Sequence, residues 1–285
     1  MRLGAYIDGF SGAEDWALKH VELGYGAAFW PQDAVDCRST DAQIEAYRQT
    51  ACRHGLVIAE VGVWNNLLER NPIVQRENME YAIGQLRLAD RVGARCAVNI
   101  GGSLNADCWY GPHDNNLSER TFDQIVDLIQ QVIDTAKPQN TYYTIEPQGW
   151  LIPHDIRSQA KLIERVNRSS FGVHVDMCNM VNSMEKAYAT GALVRDFFRE
   201  FGGLVRSVHA KDLIIENHVL SFRLREVIPG QGMFDHEALL RCCDALDADM
   251  PVLAEHLTTQ EEYLQATGFL AAKAKELKLE FIRGY

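Results

Sequence analysis

The feature that most constrains this chain is an alternation, eight times over and with no break in composition, of a short apolar run with an amphipathic stretch of helical period. Apolar runs bounded by Gly and Pro read as strands, and apolar residues recurring at spacings of three and four read as helices. The strand candidates are 2–7, 25–30, 56–63, 94–100, the run ending at Glu146, the run from Phe171 to Asp176, and the runs ending at His209 and at Glu255. Helices are predicted over 12–24, from a cap at Asp41 to His54, over 75–92, from a cap at Ser118 to Lys137, over 155–167 and 185–201, from a cap at Asp235 to Leu246, and over 259–278. A long irregular segment is expected between His209 and Asp235. LVIAEVGV (56–63) is a continuous apolar run of the kind that a parallel sheet buries on both faces. Eight β-then-α units predict an α/β fold in which residues 1–285 form a single closed (β/α)8 TIM barrel.

Composition narrows the function. Of 285 residues 47% are hydrophobic and 24% charged, a balance that supports a sizeable core. A net charge of −11 argues against nucleic acid, whose binding needs a basic footprint. No basic stretch precedes an apolar one at the start of the chain, and no apolar run approaches the ~18 residues of a membrane span, so a cytoplasmic protein with no membrane contact is expected. Seven cysteines with no C-x-x-C pair are expected to be reduced and mostly buried.

Four of the strands end in acidic or imidazole groups: TYYTIEP at Glu146, FGVHVDMCNM at Asp176, LVRSVHAKD at His209 and MPVLAEHL at Glu255. A carboxylate that follows a buried strand is costly unless it is paired or bound to metal. Strand ends on one face of a barrel converge, and that face is where barrel enzymes place their chemistry. Glu146, Asp176, His209 and Glu255 are therefore candidate ligands of one divalent ion. Hard oxygens with one imidazole suit Mn²⁺ foremost, with Mg²⁺, Co²⁺ or Zn²⁺ as alternatives.

Around these lie the candidate substrate contacts. His174 shares a strand face with Asp176, as a supporting group or a core hydrogen-bonder. Lys211 shares a face with His209, to touch a substrate oxygen or to pair with a neighbouring strand. Trp30, Trp64, Trp109 and Trp150 lie at or just beyond the ends of strands two to five, where flat rings can wall a sugar or an aromatic group, or plug the barrel mouth. Asn65, Asn66, Asn99, His113, His154 and Asn179 sit in the same loops as candidate hydroxyl readers. Gly230 and Gly232, with Arg223 and Arg225 nearby, can form a backbone nest for a phosphate, though a tight turn into the next helix is the simpler reading.

The strand-end set IEP, HVDMCN, HAKD, PGQG and AEH over eight βα units resembles the xylose isomerase-like TIM-barrel superfamily of sugar epimerases and isomerases, along essentially the whole chain. The resemblance implies that Glu146, Asp176, His209 and Glu255 bind one metal and that Glu146 and Glu255 also move protons. Where ketose 3-epimerases carry Glu, Arg and His contacts, this chain has Ile152, Ile215 and Asn179, which argues against a free-ketose 3-epimerase. Asn179 likewise departs from endonuclease IV and argues against a three-metal nuclease.

The chemistry expected is abstraction of a proton beside a carbonyl through an enediolate, giving a sugar isomerase or epimerase. The same first step followed by expulsion of a β-substituent makes a lyase, of the inosose dehydratase or 3-keto-glycoside and C-glycoside deglycosidase kind. A non-catalytic sugar-binding protein on the same scaffold is the rival from another class. The partner expected is a small sugar, with a second copy or a small partner subunit allowed.

Overall fold

The chain alternates between strand and helix along its length, in a computed structural model that describes residues 1–218 and 220–285. The strands are β1 (Arg2–Ala5), β2 (Ala27–Phe29), β3 (Val57–Gly62), β4 (Cys96–Ile100), β5 (Tyr142–Glu146), β6 (Val173–Asp176), β7 (Val205–Ala210), β8 (Asp212–Ile215), β9 (Leu224–Val227) and β10 (Pro251–Ala254). The helices are α1 (Ala13–Glu22), α2 (Asp41–Arg53), α3 (Pro72–Val92), α4 (Glu119–Ala136), α5 (Ile156–Val166), α6 (Met184–Tyr188), α7 (Thr190–Phe201), α8 (His236–Leu246) and α9 (Gln260–Glu276). Two four-stranded sheets run in the orders β1-β10-β7-β6 and β2-β3-β4-β5, and β8 and β9 form a separate antiparallel pair.

The contacts divide the chain into two compact units. The first comprises Met1–Phe29, Ala46–Val57 and Val175–Tyr285. In it β1 runs parallel to β10, with Arg2 opposite Pro251 and Ala5 opposite Ala254, and β10 runs parallel to β7, with Leu253 opposite His209. This register sets the residues just past the strands, Lys211 and Glu255, level with each other. Each strand is buried on both faces, as side chains of alternating direction require when helices cover the sheet. Close approach also matters: a β-carbon on Gly4 would lie 2.4 Å from the Ala27 carbonyl oxygen, so only glycine lets β1 pass there.

The second unit comprises Trp30–Glu45 and Ile58–His174. Here β3, β4 and β5 are parallel, with Glu60 opposite Cys96 and Ile100 opposite Glu146. The amphipathic α4 lays Phe122, Ile125, Ile129 and Ile133 into the core at the spacing that one helical face demands.

Several boundaries differ from the sequence reading for local reasons. Ser118 and Asp235 cap their helices as expected, through the amides of Thr121 and Ala238. Thr40, not Asp41, caps α2: its hydroxyl accepts from the Gln43 amide while Gln43 Oε1 accepts from the Thr40 amide, a reciprocal capping box. Asn71 caps α3 and Pro72 takes its first position, so that helix begins three residues before the expected 75. The single helix expected over 185–201 is two, since Ser183 caps a short α6 and the chain is non-helical at Ala189 before α7. The segment expected to be irregular after His209 contains the β8–β9 hairpin. β8 is buried at its start and half-exposed at its end, and β9 is half-exposed or exposed throughout, so neither shows the alternation of a half-buried strand, and exposed Leu220 and Phe222 blur the pattern further.

Candidate metal centre

In the first unit, β6, β7 and β10 each deliver one polar side chain at the carboxyl end of an apolar strand. Asp176 closes β6, His209 is the penultimate residue of β7, and Glu255 follows β10 directly. Asp176 and His209 are buried, and Glu255 retains a partly open edge. Each offers one ligand atom, and these atoms lie within 4.8 Å of one another. His209 Nδ1 is 2.9 Å from Glu255 Oε2 and 3.9 Å from Asp176 Oδ2. The other Asp176 oxygen, Oδ1, accepts the Asn179 amide, which fixes the carboxylate plane. The Phe29 ring tilts against the imidazole at 5.8 Å between centroids.

Lys211 enters the same group. Its ammonium lies 2.7 Å from Asp176 Oδ2, 3.0 Å from Glu255 Oε2 and 2.9 Å from His256 Nδ1. His256, in the left-handed backbone region at φ 58°, turns back over the site and reaches Glu226 on β9 at 3.2 Å. Burial works against ionisation of Glu255, but the charges of His209 and Lys211 outweigh it and hold the carboxyl well below its ordinary range. The donor set fits a hard divalent cation: two carboxylates and an imidazole on rigid strand ends. Asp176 Oδ2 and Glu255 Oε2 are both buried without a hydrogen bond of ordinary geometry, their charge answered by Lys211.

A pocket of about 250 Å³ opens beside Lys211, Glu255 and His256, with Glu226, Gln231 and Thr258 on its walls. Below it Asp212 organises the loop that carries Gly230 and Gly232. Its carboxylate accepts the amides of Leu213, Gly230, Gly232 and Phe234 at 2.8–2.9 Å. The amides that a phosphate nest would use are thus taken by Asp212, and the PGQG segment is a turn, with the Gln231 amide closing on the Ile228 carbonyl. Arg223 is exposed, at the mouth of the hairpin.

The second unit holds the rest of the expected residues. Glu146 closes β5 and is buried, with the Gln148 carboxamide 3.5 Å away. His174 is fully buried, and its Nε2 is 3.2 Å from Glu60 Oε2, a carboxylate in the middle of β3. Glu60 carries a sequence signal of its own, one acid inside an otherwise apolar LVIAEVGV. His256 was visible in AEH, whereas nothing local marks Glu226, which the hairpin brings in.

Trp64 has a left-handed backbone, φ 41°, unusual for a bulky side chain. The next residue, Asn65, is clamped by Asn99, which accepts its amide and donates to its side chain, and Asn99 also donates to the Tyr143 hydroxyl. Trp109 and Trp150 are partly exposed; Trp150 donates to the Tyr110 carbonyl, and Trp109 meets the Tyr110 ring edge-on at 5.1 Å. Trp30 is buried and gives its indole N–H to Val35, which makes it part of the core packing. His113 is held by the Asn115 amide and lies 3.4 Å from the Arg70 guanidinium. Asn66 is buried and joins the backbone of Ser103 and Leu68, a loop brace. Among the described residues no helix is long and apolar enough to cross a membrane.

A family model described as a xylose isomerase-like TIM barrel matches residues 13–273. No curated protein sequence matches the chain. Among solved structures it is similar to endonuclease IV from Thermus thermophilus, at 17% identity and TM-score 0.71, covering 97% of this chain and all of that one. It is similar to 3-keto-D-glucoside 4-epimerase from E. coli, at 15% identity and TM-score 0.67, covering 96% and 99%. It is also similar to a xylose isomerase-like TIM barrel protein from Mycobacterium smegmatis in complex with magnesium, at 14% identity and TM-score 0.66, covering 93% and 90%. Identities this low speak for the fold alone.

Proposed function

The chain belongs to the xylose isomerase-like TIM barrel family, and from that premise we propose that it is a divalent-metal-dependent sugar isomerase or epimerase. Its substrate in this reading is a keto sugar or related polyol, from which it removes the proton beside the carbonyl. The observation that carries the reading is the convergence of Asp176, His209 and Glu255, three buried or nearly buried ligand groups with their donor atoms within 4.8 Å. Glu146, a buried carboxylate at the end of β5, is the fourth ligand in this proposal. A divalent ion held by these residues, Mn²⁺ foremost and Mg²⁺, Co²⁺ or Zn²⁺ otherwise, supplies Lewis acidity toward the carbonyl and the hydroxyl beside it.

The chain's own groups do the proton work. Glu255 stays ionised because His209 and Lys211 favour its charge, so it is available as an acceptor. Glu146, from a different strand, is assigned to return a proton to the other side. Trp109 and Trp150 are assigned as walls, and His113, His174 and Asn179 as groups that bind or brace the substrate, with Arg223 at the outer edge; Trp64 and Asn65, expected in the same role, line a pocket of their own beside α3. The sugar is taken up in the cytoplasm, by the chain alone, by a homo-oligomer or with a small partner subunit.

One observation favours a second reading, a lyase. Lys211 and His256 stand beside Glu255, so a cationic proton donor is at hand to protonate a departing β-substituent. The test is solvent-deuterium exchange over a panel of keto sugars and 3-keto-glycosides with metal added. Exchange with an epimer or isomer formed supports the first reading, exchange with loss of an aglycone or water supports the second, and no exchange on any member leaves a sugar-binding protein.

A further inference from the structure

The second unit carries a pocket of about 290 Å³ that the proton chemistry does not use. It lies past the ends of β2 and β3, between Gln32, Arg38 and Trp64 on one side and Glu77 and Tyr81 of α3 on the other. Residues 77 and 81 are one helical turn apart and share a face. Three features mark it as a place built to receive something.

The first is backbone conformation. Trp64 is held at φ 41° although nothing in its side chain favours that region. Its neighbours enforce it: Val63 donates to the Val98 carbonyl, and Asn65 is tied through its amide to Asn99 and through its side chain to the Asn78 carbonyl. The second is the floor. A β-carbon on Gly62 would lie 2.2 Å from Trp64 Nε1 and 2.3 Å from Gln32 Oε1, so the missing side chain makes the space in which indole and carboxamide sit together.

The third is the state of the polar groups. The framework carboxamides, Asn65 and Asn78, spend their donors on backbone carbonyls. By contrast, among the described residues the Trp64 indole N–H, the Gln32 carboxamide and the Tyr81 hydroxyl make no hydrogen bond within the chain. Burial lifts the Tyr81 phenol to about 12, which keeps its proton in place at neutral pH. The Arg38 guanidinium lies over the Tyr81 ring, 4.7 Å from its centroid, and Glu77 sets one negative charge against that positive one.

We infer that this pocket binds one neutral polyhydroxylated ring, a pyranose or a cyclitol, with Trp64, Gln32, Tyr81 and Glu77 reading its hydroxyls. Unspent donors and acceptors in mixture suit hydroxyl groups, each of which gives and takes a hydrogen bond. Balanced charge disfavours a phosphate, and the volume, at the small end of ligand pockets, accommodates one ring. The choice of ligand class rests on the carbohydrate reading above, but the pocket's residues are independent of the metal ligands.

The test is an NMR titration with D-glucose, myo-inositol and, as anion control, inorganic phosphate. The expected result is saturable binding of a ring polyol that Gln32→Ala and Tyr81→Phe each weaken about fivefold, the loss of one hydrogen bond, and Trp64→Ala weakens more. In Asp176→Asn and in metal-stripped protein the binding that Gln32→Ala and Tyr81→Phe weaken should remain. Melting curves identify any variant that fails to fold, and Tyr81→Phe, which removes one oxygen, keeps the test open if Trp64→Ala does fail. No polyol binding, tighter binding of phosphate, or polyol binding indifferent to Gln32→Ala and Tyr81→Phe overturns the inference. Turnover without binding here defeats this inference and leaves the metal-centred reading standing; binding here without α-proton exchange does the reverse.

Discussion

The Lys211 ammonium lies 2.7 Å from Asp176 Oδ2, with both side chains almost completely buried. Asp176, Glu255 and Lys211 form a cluster in which two carboxylates share one cation, so the site tolerates its negative charge before any metal enters. Lys211 therefore both braces the ligands and competes for them.

Lys211→Met should expose that double role. Removing one partner of a buried ion pair typically destabilises by about 3–5 kcal/mol, and here two carboxylates are left facing each other. Thermal melting of metal-stripped protein should show a lower midpoint for the variant, and added Mn²⁺ should raise that midpoint by more than it raises the parent's. Equal shifts on metal addition would show that the lysine does not compete.

Asp212 is expected to be the stability determinant of the adjoining loop. Four amides depend on its carboxylate, and each hydrogen bond to a charged group is worth about 1.5–3 kcal/mol, with no additivity within one cluster. Asp212→Ala should cost more than about 3 kcal/mol in urea denaturation. A loss under about 1 kcal/mol would mean that the loop keeps its shape by other means.

The pH dependence of stability should carry the mark of His20. It is buried, bonded through Nδ1 to the Trp16 carbonyl, and burial lowers its pKa to about 4 from the usual 6.5. Between those values the unfolded chain takes up a proton that the folded chain refuses. Stability from this group is therefore complete above pH 6.5, falls as the pH drops toward 4, and levels off below. Denaturation at a series of pH values should give a slope for the parent that exceeds the His20→Phe slope by up to about 1.4 kcal/mol per pH unit. Parallel curves would contradict the shift.

Proton transfer is assigned to Glu146 and Glu255. Each Glu→Gln change keeps the shape and one ligand oxygen while removing the base, and loss of general base catalysis costs about 10²–10⁴ in rate. Exchange of the substrate α-proton with deuterated solvent should fall by that much in both variants. Exchange at the parental rate in either, with metal retained, makes that Glu a ligand only and sends the search for the base to His113, His154, His174 and Lys211.

What the sequence made legible follows a physical rule. Asp176, His209 and Glu255 stood out because each interrupts or ends an apolar strand, where an ionisable group is costly without a partner. Glu60 obeys the same rule, but as a single acid inside a long apolar run it is hidden by its neighbours, and its partner His174 lies far away in sequence. The expected caps held at Ser118 and Asp235 and moved at Asp41 because two capping-competent residues, Thr40 and Asp41, are adjacent and only the first has Gln43 at the right spacing. The β8–β9 hairpin, and with it Glu226, was not legible because neither strand alternates between buried and exposed positions. The two glycines of PGQG form a turn, the simpler reading of their spacing; what fills the nest, Asp212, lies eighteen residues from Gly230.

The most direct test of the central claim is the metal content of the purified protein, measured after incubation with Mn²⁺ and removal of excess ion. One equivalent per chain is expected, falling to near zero in the Asp176→Ala, His209→Ala double variant. One equivalent retained by the double variant would contradict the metal centre and the chemistry assigned to it.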